Sequence, residues 1–511
     1  MASYLSSSVR RARPRYRYLS FAIIPVLLLA ACGTGSASAT STPTTRPTPA
    51  LGRQPTASVS ASATTPVTDP HILPGDWPSF LLGVGGFNSS ETGITAESVS
   101  SLSLAWQAHA GGAISSETVV VDETVYWGSW DGYEHATRVT GQARWSTFLG
   151  KTVSAGCFPS TVGVASTATV VPVILKGTTT LVDFVGGGDA RFYALNAATG
   201  NILWSTSLGS APGTYIWGSP VVSQGHVYIG TASVGECPGT AGRFFQLDIS
   251  TGAIDRVLDL VPQGCLGGGI WGSPTIDADM DELYITTSNA GTCGVSERYA
   301  MSVVELHAAS LSIVGSWQVP DEEAVADGDF GSTPVLFTAR LGGVSRKLVG
   351  AVNKNGIFYA FERGAMSKGP VWRDHISSSP VAGCRQCPSG DEAAAAWDGS
   401  HLYAGSTSTT IGGKFCYGSL RALDPATGAY LWEHCLSPAY RVMAPPIGVP
   451  GLVVASAGPS FFVLGATNGA TLFRYEDDSE DSTFDGAATI AHGMLFIGNL
   501  DGTLSAFAPT G

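Results

Sequence analysis

Past residue 72 the chain alternates short apolar runs with small or polar breaks, at a spacing that predicts strands and tight turns rather than helices. One unit recurs: an apolar strand, a glycine turn, a second strand, a turn of the type D-x-x-T-G, and a third strand ending in Trp or another apolar residue. Copies read VYWGSWDGYEHATRVTGQARW from Val125, FVGGGDARFYALNAATGNILW from Phe184 and LYAGSTSTTIGGKFCYGSLRALDPATGAYLW from Leu402, with four more between and after them. Asn or Asp followed by ATG or STG sets short glycine turns between antiparallel strands. Trp145, Trp204, Trp317, Trp372 and Trp432 recur at the end of the third strand, where a flat ring is expected to pack between neighbouring units.

The eighth copy, LFIGNLDGTLSAFAP, stops after two strands. Near the start, LSLAWQ around Trp106 is an outer strand with no inner strands of its own, so the two ends are expected to pair. Eight hairpins and a closed ring predict an all-β, eight-bladed β-propeller with four strands per blade. IWGSPVV at Ile216, IWGSPTI at Ile270, FGSTPVL at Phe330 and ISSSPVA at Ile376 take the innermost place, where small residues let strands converge on a crowded axis.

The first residues break this pattern. VRRARPRYRY and the apolar LSFAIIPVLLLAA form a targeting segment over 1–31, too short to span a bilayer comfortably. It ends in Leu29-Ala30-Ala31-Cys32, which resembles the lipobox of bacterial lipoproteins; that implies cleavage before Cys32 and a lipid on its sulfur. Residues 32–72, rich in Ser, Thr, Pro and Ala, cannot bury enough surface to offset chain entropy and read as a tether. The expected location is the extracytoplasmic face of a cell membrane, with residues 73–511 forming the propeller.

Only 13% of the residues are charged, and the net charge is −13. Beyond residue 31, 22 basic residues face 40 acids, a balance of −18 that repels phosphate backbones and argues against a nucleic-acid partner. Besides Cys32 there are eight cysteines, an even number that suggests disulfides in an exported chain. Cys416 and Cys435 flank one hairpin and are the first pair expected; Cys384 and Cys387 read as a local disulfide. No His follows Cys387, so covalent haem is not expected. His109, His135 and His434 form no metal pattern, and no Gly-x-Ser-x-Gly element supports a hydrolase.

The repeat resembles the quinoprotein propellers, the fold of pyrroloquinoline quinone (PQQ)-dependent alcohol dehydrogenases, over residues 75–509. Through WGSWDGY, GGGIWGSP, DGDFGSTPVLF and NKNGIFYAF it is similar in particular to the polyvinyl-alcohol-dehydrogenase-like lipoproteins. The resemblance implies that Gly267, Gly268 and Gly269 let a quinone approach the backbone, that Trp271 lies under it, and that Asn289, 18 residues on, ligates Ca2+. It further implies Glu236 as a second ligand, reached by a one-residue shift, and Lys354 as the basic group at the quinone oxygens. Where these enzymes carry a catalytic Asp after the Asn, this chain has GVSERYAMS, so Glu297 is the expected base. The adjacent-cysteine pair of several such enzymes is absent. The chemistry is coherent: a planar quinone wants an aromatic floor, and a hard cation wants oxygen ligands.

Two functions follow as expectations. One is a surface-tethered oxidoreductase that takes an alcohol, a large or polymeric one included, with PQQ and Ca2+ and an external electron acceptor. The other is a non-catalytic propeller that binds an envelope protein or polymer as a scaffold.

Overall fold

A computed structural model describes residues 72–83, 85–377, 391–479 and 482–510. Cys32, the tether, and Cys384 with Cys387 lie outside the described residues. Eight four-stranded antiparallel sheets form the propeller. Blade 3 consists of Val221–Ser223, His226–Thr231, Arg243–Asp248 and Ile254–Asp259; blade 4 of Thr275–Asp277, Glu282–Thr286, Ser302–His307 and Ile313–Gln318. Blade 5 runs Val335–Leu341, Val344–Val352, Ile357–Glu362 and Trp372–His375. The eighth blade joins Thr489–Ala491, Met494–Gly498 and Thr503–Pro509 to Leu102–His109, so the expected ring closure is present.

The middle strands of blade 3 are buried on both faces along most of their length, while its outer strand Ile254–Asp259 is almost wholly exposed. The third-strand tryptophans dock on the next blade. Trp145 Nε1 donates to Ala197 O at 2.9 Å and Trp432 Nε1 to Ala466 O at 2.9 Å. A Cβ on Gly200 or Gly469 would come within 2.6 Å or 2.5 Å of those rings, so the glycine of each ATG or TNG turn makes room for the neighbour's indole. Trp106 makes the same contact across the ring closure, donating to Val139 O at 2.7 Å.

The small residues before the inner strands do more than fit. Amide and hydroxyl link blade to blade around the axis: Glu117 N to Thr167 Oγ1 (2.9 Å), Thr167 N to Ser219 Oγ (3.0 Å), Ser219 N to Ser273 Oγ (2.8 Å) and Ser273 N to Thr333 Oγ1 (3.0 Å). The serines of the two WGSP turns are therefore links in this relay, each hydrogen bond contributing about 1 kcal/mol. Beneath it runs a strap from Asp76 to Asn88. It pairs with blades 1 and 2 through Trp77–Val120 and Pro78–Val170, and with blades 6 and 7 through Gly85–Trp397 and Gly86–Gly448. Phe80 and Leu81 of the strap border one small gap together with the prolines that end the relay turns, Pro220, Pro274 and Pro334.

Cys157–Cys237, Cys265–Cys293 and Cys416–Cys435 are disulfide-bonded, the last being the pair expected from the sequence.

Candidate functional site

On the axis lies a cavity of about 480 Å³, lined by Phe80 of the strap, by the relay residues Thr167, Ser219, Ser273 and Thr333, and by residues from all around the ring. Its volume falls within the range that holds a small cofactor. Trp271 and Gly272, from the turn before blade 4, form part of its floor. A Cβ on Gly331, at the same place in the next blade, would lie 2.1 Å from Trp271 Cη2, so the indole rests on a glycine.

Lys354 follows the second strand of blade 5 in the turn Asn353-Lys354-Asn355-Gly356. That turn is fixed from within: Asn353 Nδ2 donates to Gly328 O at 2.9 Å and Asn355 Nδ2 to Tyr359 Oη at 2.8 Å. Lys354 is buried, with Nζ 4.7 Å from the centre of the Trp271 ring. The same Nζ lies 2.9 Å from Asp329, 3.3 Å from Asp327 and 3.8 Å from Glu392. Burial alone would lower its pKa, but the carboxylates of Asp329, Glu392 and Asp327 outweigh it and hold the ammonium well above its ordinary value.

Asn289 ends the strand hairpin of blade 4, where its Nδ2 donates to Glu236 Oε1 at 3.1 Å and to Asp327 Oδ1 at 2.8 Å. The amide thus sets a partly positive group between two carboxylates. A flip would offer its oxygen at the same spot, since the two ends of the amide are nearly isosteric. Glu236 stands at the rim with its carboxyl turned inward. Burial pushes that carboxyl's pKa up, the hydrogen bond from Asn289 pulls it partly back, and Asp329 and Asp327 raise it again. Asp329 and Glu392 are likewise raised by burial, against the pull of Lys354.

Three carboxyl groups (Asp327, Asp329 and Glu392) therefore surround one buried ammonium, and Glu236 joins the cluster through Asn289. A hard cation coordinated by oxygens is what relieves such an excess. Glu236 and Asp327 also share an uncommon backbone: both are non-glycine residues in the left-handed region, at φ 59° and 57°.

The structure brings Trp271, Lys354, Glu236 and Asn289 together. It does not bring Glu297. That residue is fully buried outside the cavity lining, and its two oxygens accept from the backbone of Gly291 (2.8 Å) and Cys293 (2.7 Å). A carboxylate buried behind the site and outside the cavity lining is not placed to take a substrate proton. Gly267, Gly268 and Gly269 also fall outside the cavity lining. They thread between neighbouring segments: Gly267 bridges Ala241 and Ala290, and a Cβ on Gly242 would strike Gly268 O at 1.8 Å. Their bareness serves a crowded backbone crossing rather than contact with a cofactor. Asp327 and Asp329, which no reading of the Asn289 segment suggested, complete the cluster from the stretch DGDFGSTP. Cys265, Cys293 and Glu297 lie close enough to suggest a metal site, but both sulfurs are in the disulfide.

The model of the PQQ-like repeat family described as outer membrane protein assembly factor BamB matches residues 90–293 and 135–437. The chain belongs to this PQQ-repeat family. Among its relatives is a polyvinylalcohol dehydrogenase from Pseudomonas sp, 23% identical over 492 residues, covering 83% of this chain and 73% of the relative. A quinohemoprotein alcohol dehydrogenase from Comamonas testosteroni is 28% identical over 332 residues, but that match covers 56% of this chain and 45% of the relative. The crystal structure of a quinohemoprotein alcohol dehydrogenase from Comamonas testosteroni superposes with a TM-score of 0.65 at 18% identity, over 85% of this chain and 80% of that one. That likeness establishes the propeller architecture.

The residues present fit a planar quinone beside a cation. An aromatic face, an ammonium and these four carboxyl groups line one cavity of sufficient size, and Asn289, just outside that lining, holds two of the carboxyl groups.

Proposed function

We propose that this chain is a quinoprotein-type oxidoreductase that oxidises an alcohol, a large or polymeric one included, with PQQ and Ca2+ at the mouth of the propeller. The observation that carries the reading is the meeting of Glu236, Asn289 and Asp327 next to Lys354 over Trp271. When bound, the quinone and its cation supply a two-electron acceptor polarised by a Lewis acid. Glu236 and Asn289 hold the cation, Trp271 provides the flat floor, and Lys354 faces the anionic and carbonyl oxygens. Asp327 touches both Asn289 and Lys354 and takes the hydroxyl proton of the alcohol as general base, the role the sequence had suggested for Glu297. Electrons then pass to an external acceptor. In this reading Cys32 anchors the domain by lipid to the extracytoplasmic face of the membrane.

The competing function is a propeller scaffold for an envelope protein or polymer, a role that leaves a buried lysine and four converging carboxyl groups without a task. Titration of PQQ into the purified protein, with and without Ca2+, separates the two. Roughly stoichiometric, Ca2+-dependent binding that is lost in Asn289→Ala supports the enzyme. Absence of binding at micromolar protein, with or without Ca2+, removes it and leaves the scaffold.

A further inference from the structure

Two of the three described disulfides sit beside the two residues assigned to the cation, although they join different parts of the chain. Cys237 directly follows Glu236 and is bonded to Cys157, 80 residues away in the segment between blades 1 and 2. Cys293 lies four residues after Asn289 and is bonded to Cys265, two residues before the glycine run that pairs with Asn289. The third, Cys416–Cys435, crosslinks adjacent strands of blade 6 and touches neither ligand segment.

The Glu236 loop needs such support. Gly235 and Glu236 are consecutive left-handed residues, at φ 60° and 59°, and for a glutamate that conformation costs about 1–2 kcal/mol. The loop rests on the segment bearing Cys157. Ser154 Oγ donates to Cys237 O at 2.9 Å, and a Cβ on Gly235 would lie 2.9 Å from Phe158 O. Phe158 and Pro159, carried by the same segment, form part of the cavity wall. On the other side Gly268 N donates to Asn289 O at 2.9 Å, and Thr292 N donates to Leu266 O at 3.0 Å. Glu297 then gathers the amides of Gly291 and Cys293 with its two oxygens.

We infer that Cys157–Cys237 and Cys265–Cys293 are positioning elements of the cation site. Each fixes the backbone that aims one ligand, Glu236 or Asn289, at the common point beside Asp327, and Glu297 acts with the second as a positioning residue. The inference rests on the proposed cation site and adds what holds it in register. Side chains that orient metal ligands from behind alter affinity by about 10- to 100-fold when removed, and a covalent brace on a strained loop belongs in that class.

The test is calorimetric titration of Ca2+ alone into the full chain, comparing wild type with three variants. Cys157→Ser combined with Cys237→Ser is expected to weaken Ca2+ binding by about tenfold or more, and Glu297→Gln to weaken it less. Cys416→Ser combined with Cys435→Ser, which loses a disulfide away from the ligands, is expected to bind Ca2+ like wild type. Far-ultraviolet dichroism and melting temperature report whether each variant keeps the propeller. Should the first serine pair not fold, Cys265→Ser combined with Cys293→Ser removes the other brace, and unchanged Ca2+ affinity in that folded variant overturns the inference. Equal Ca2+ affinity in wild type and in the folded Cys157→Ser, Cys237→Ser variant overturns it as well, while leaving the cation site intact. A wild-type protein that binds no Ca2+ puts the site itself in error and takes the inference with it.

Discussion

At Asp327 the backbone holds φ 57° while the side chain reaches Asn289 with one oxygen and Lys354 with the other. Residues in sparsely populated backbone regions cost about 1–3 kcal/mol and persist where surrounding structure demands them; here the demand is a carboxylate facing two partners. Asp327→Asn keeps the shape and tolerates the left-handed backbone, yet cannot accept a proton. It is expected to lower kcat for dye-linked alcohol oxidation by about 10²- to 10⁴-fold, with a melting temperature near that of wild type; undiminished kcat would assign the base elsewhere. Trp271, Asn289, Glu236 and Lys354 were named from the resemblance to the quinoprotein propellers, Glu236 through a one-residue shift, and the fold brings those four side chains near one another. Asp327 was not, because the site closes across two blades and its carboxylate arrives 38 residues after Asn289. Glu297 stood where a base was sought, and only the fold shows two backbone amides occupying it.

Between elements, the contact of blade 1 with blade 2 encloses a pair of carboxyl groups, Glu134 and Asp183. Both are fully buried, and none of their four oxygens has a hydrogen-bond partner. Burial pushes Glu134 well up, with Asp183 adding to the shift, and pushes Asp183 up to about 8. In the folded protein these groups keep protons that the unfolded chain releases in the ordinary carboxylate range. The stabilisation is therefore complete below that range and is lost as pH rises through about 8. Melting temperatures from about pH 5 to about pH 9 are expected to fall in wild type and to fall less in Asp183→Asn, which keeps a neutral group at every pH. Parallel slopes would locate the pH dependence elsewhere. The hairpins and docking tryptophans could be read from the repeat, because apolar runs of five or six residues recur between glycine turns. The innermost strands could be read only by place: Val221–Ser223 has three residues, too few for a pattern, and begins after the WGSP turn rather than within it. The hydroxyl relay is a matter of geometry, since serine in a turn has many uses.

At the scale of the whole molecule, Leu102–His109 pairs with Thr503–Pro509, so the first and last described strands hold the ring shut. Ser505 lies in the middle of that final strand, fully buried and flanked by Gln107 and Ile497. Ser505→Pro removes a ladder donor there and leaves a buried acceptor unpaired, at a cost of about 1–3 kcal/mol. Urea unfolding is expected to show a lower midpoint, and a first, partial transition if the seam opens before the blades; an unchanged midpoint would mean the closure carries little of the stability. Ring closure was legible from the truncated eighth copy. The strap beneath the axis was not, because Asp76–Asn88 carries no repeat and its partners lie in five different blades.

That strap sets an aromatic ring on the axis: Phe80 lines the same cavity as Trp271 and Lys354, so among the described residues a molecule entering past the site meets that ring. Under the proposed activity on a polymeric alcohol, Phe80 stands in the way of threading like a bead on a string, and a chain dipping one segment at a time into the cup would be oxidised at scattered points.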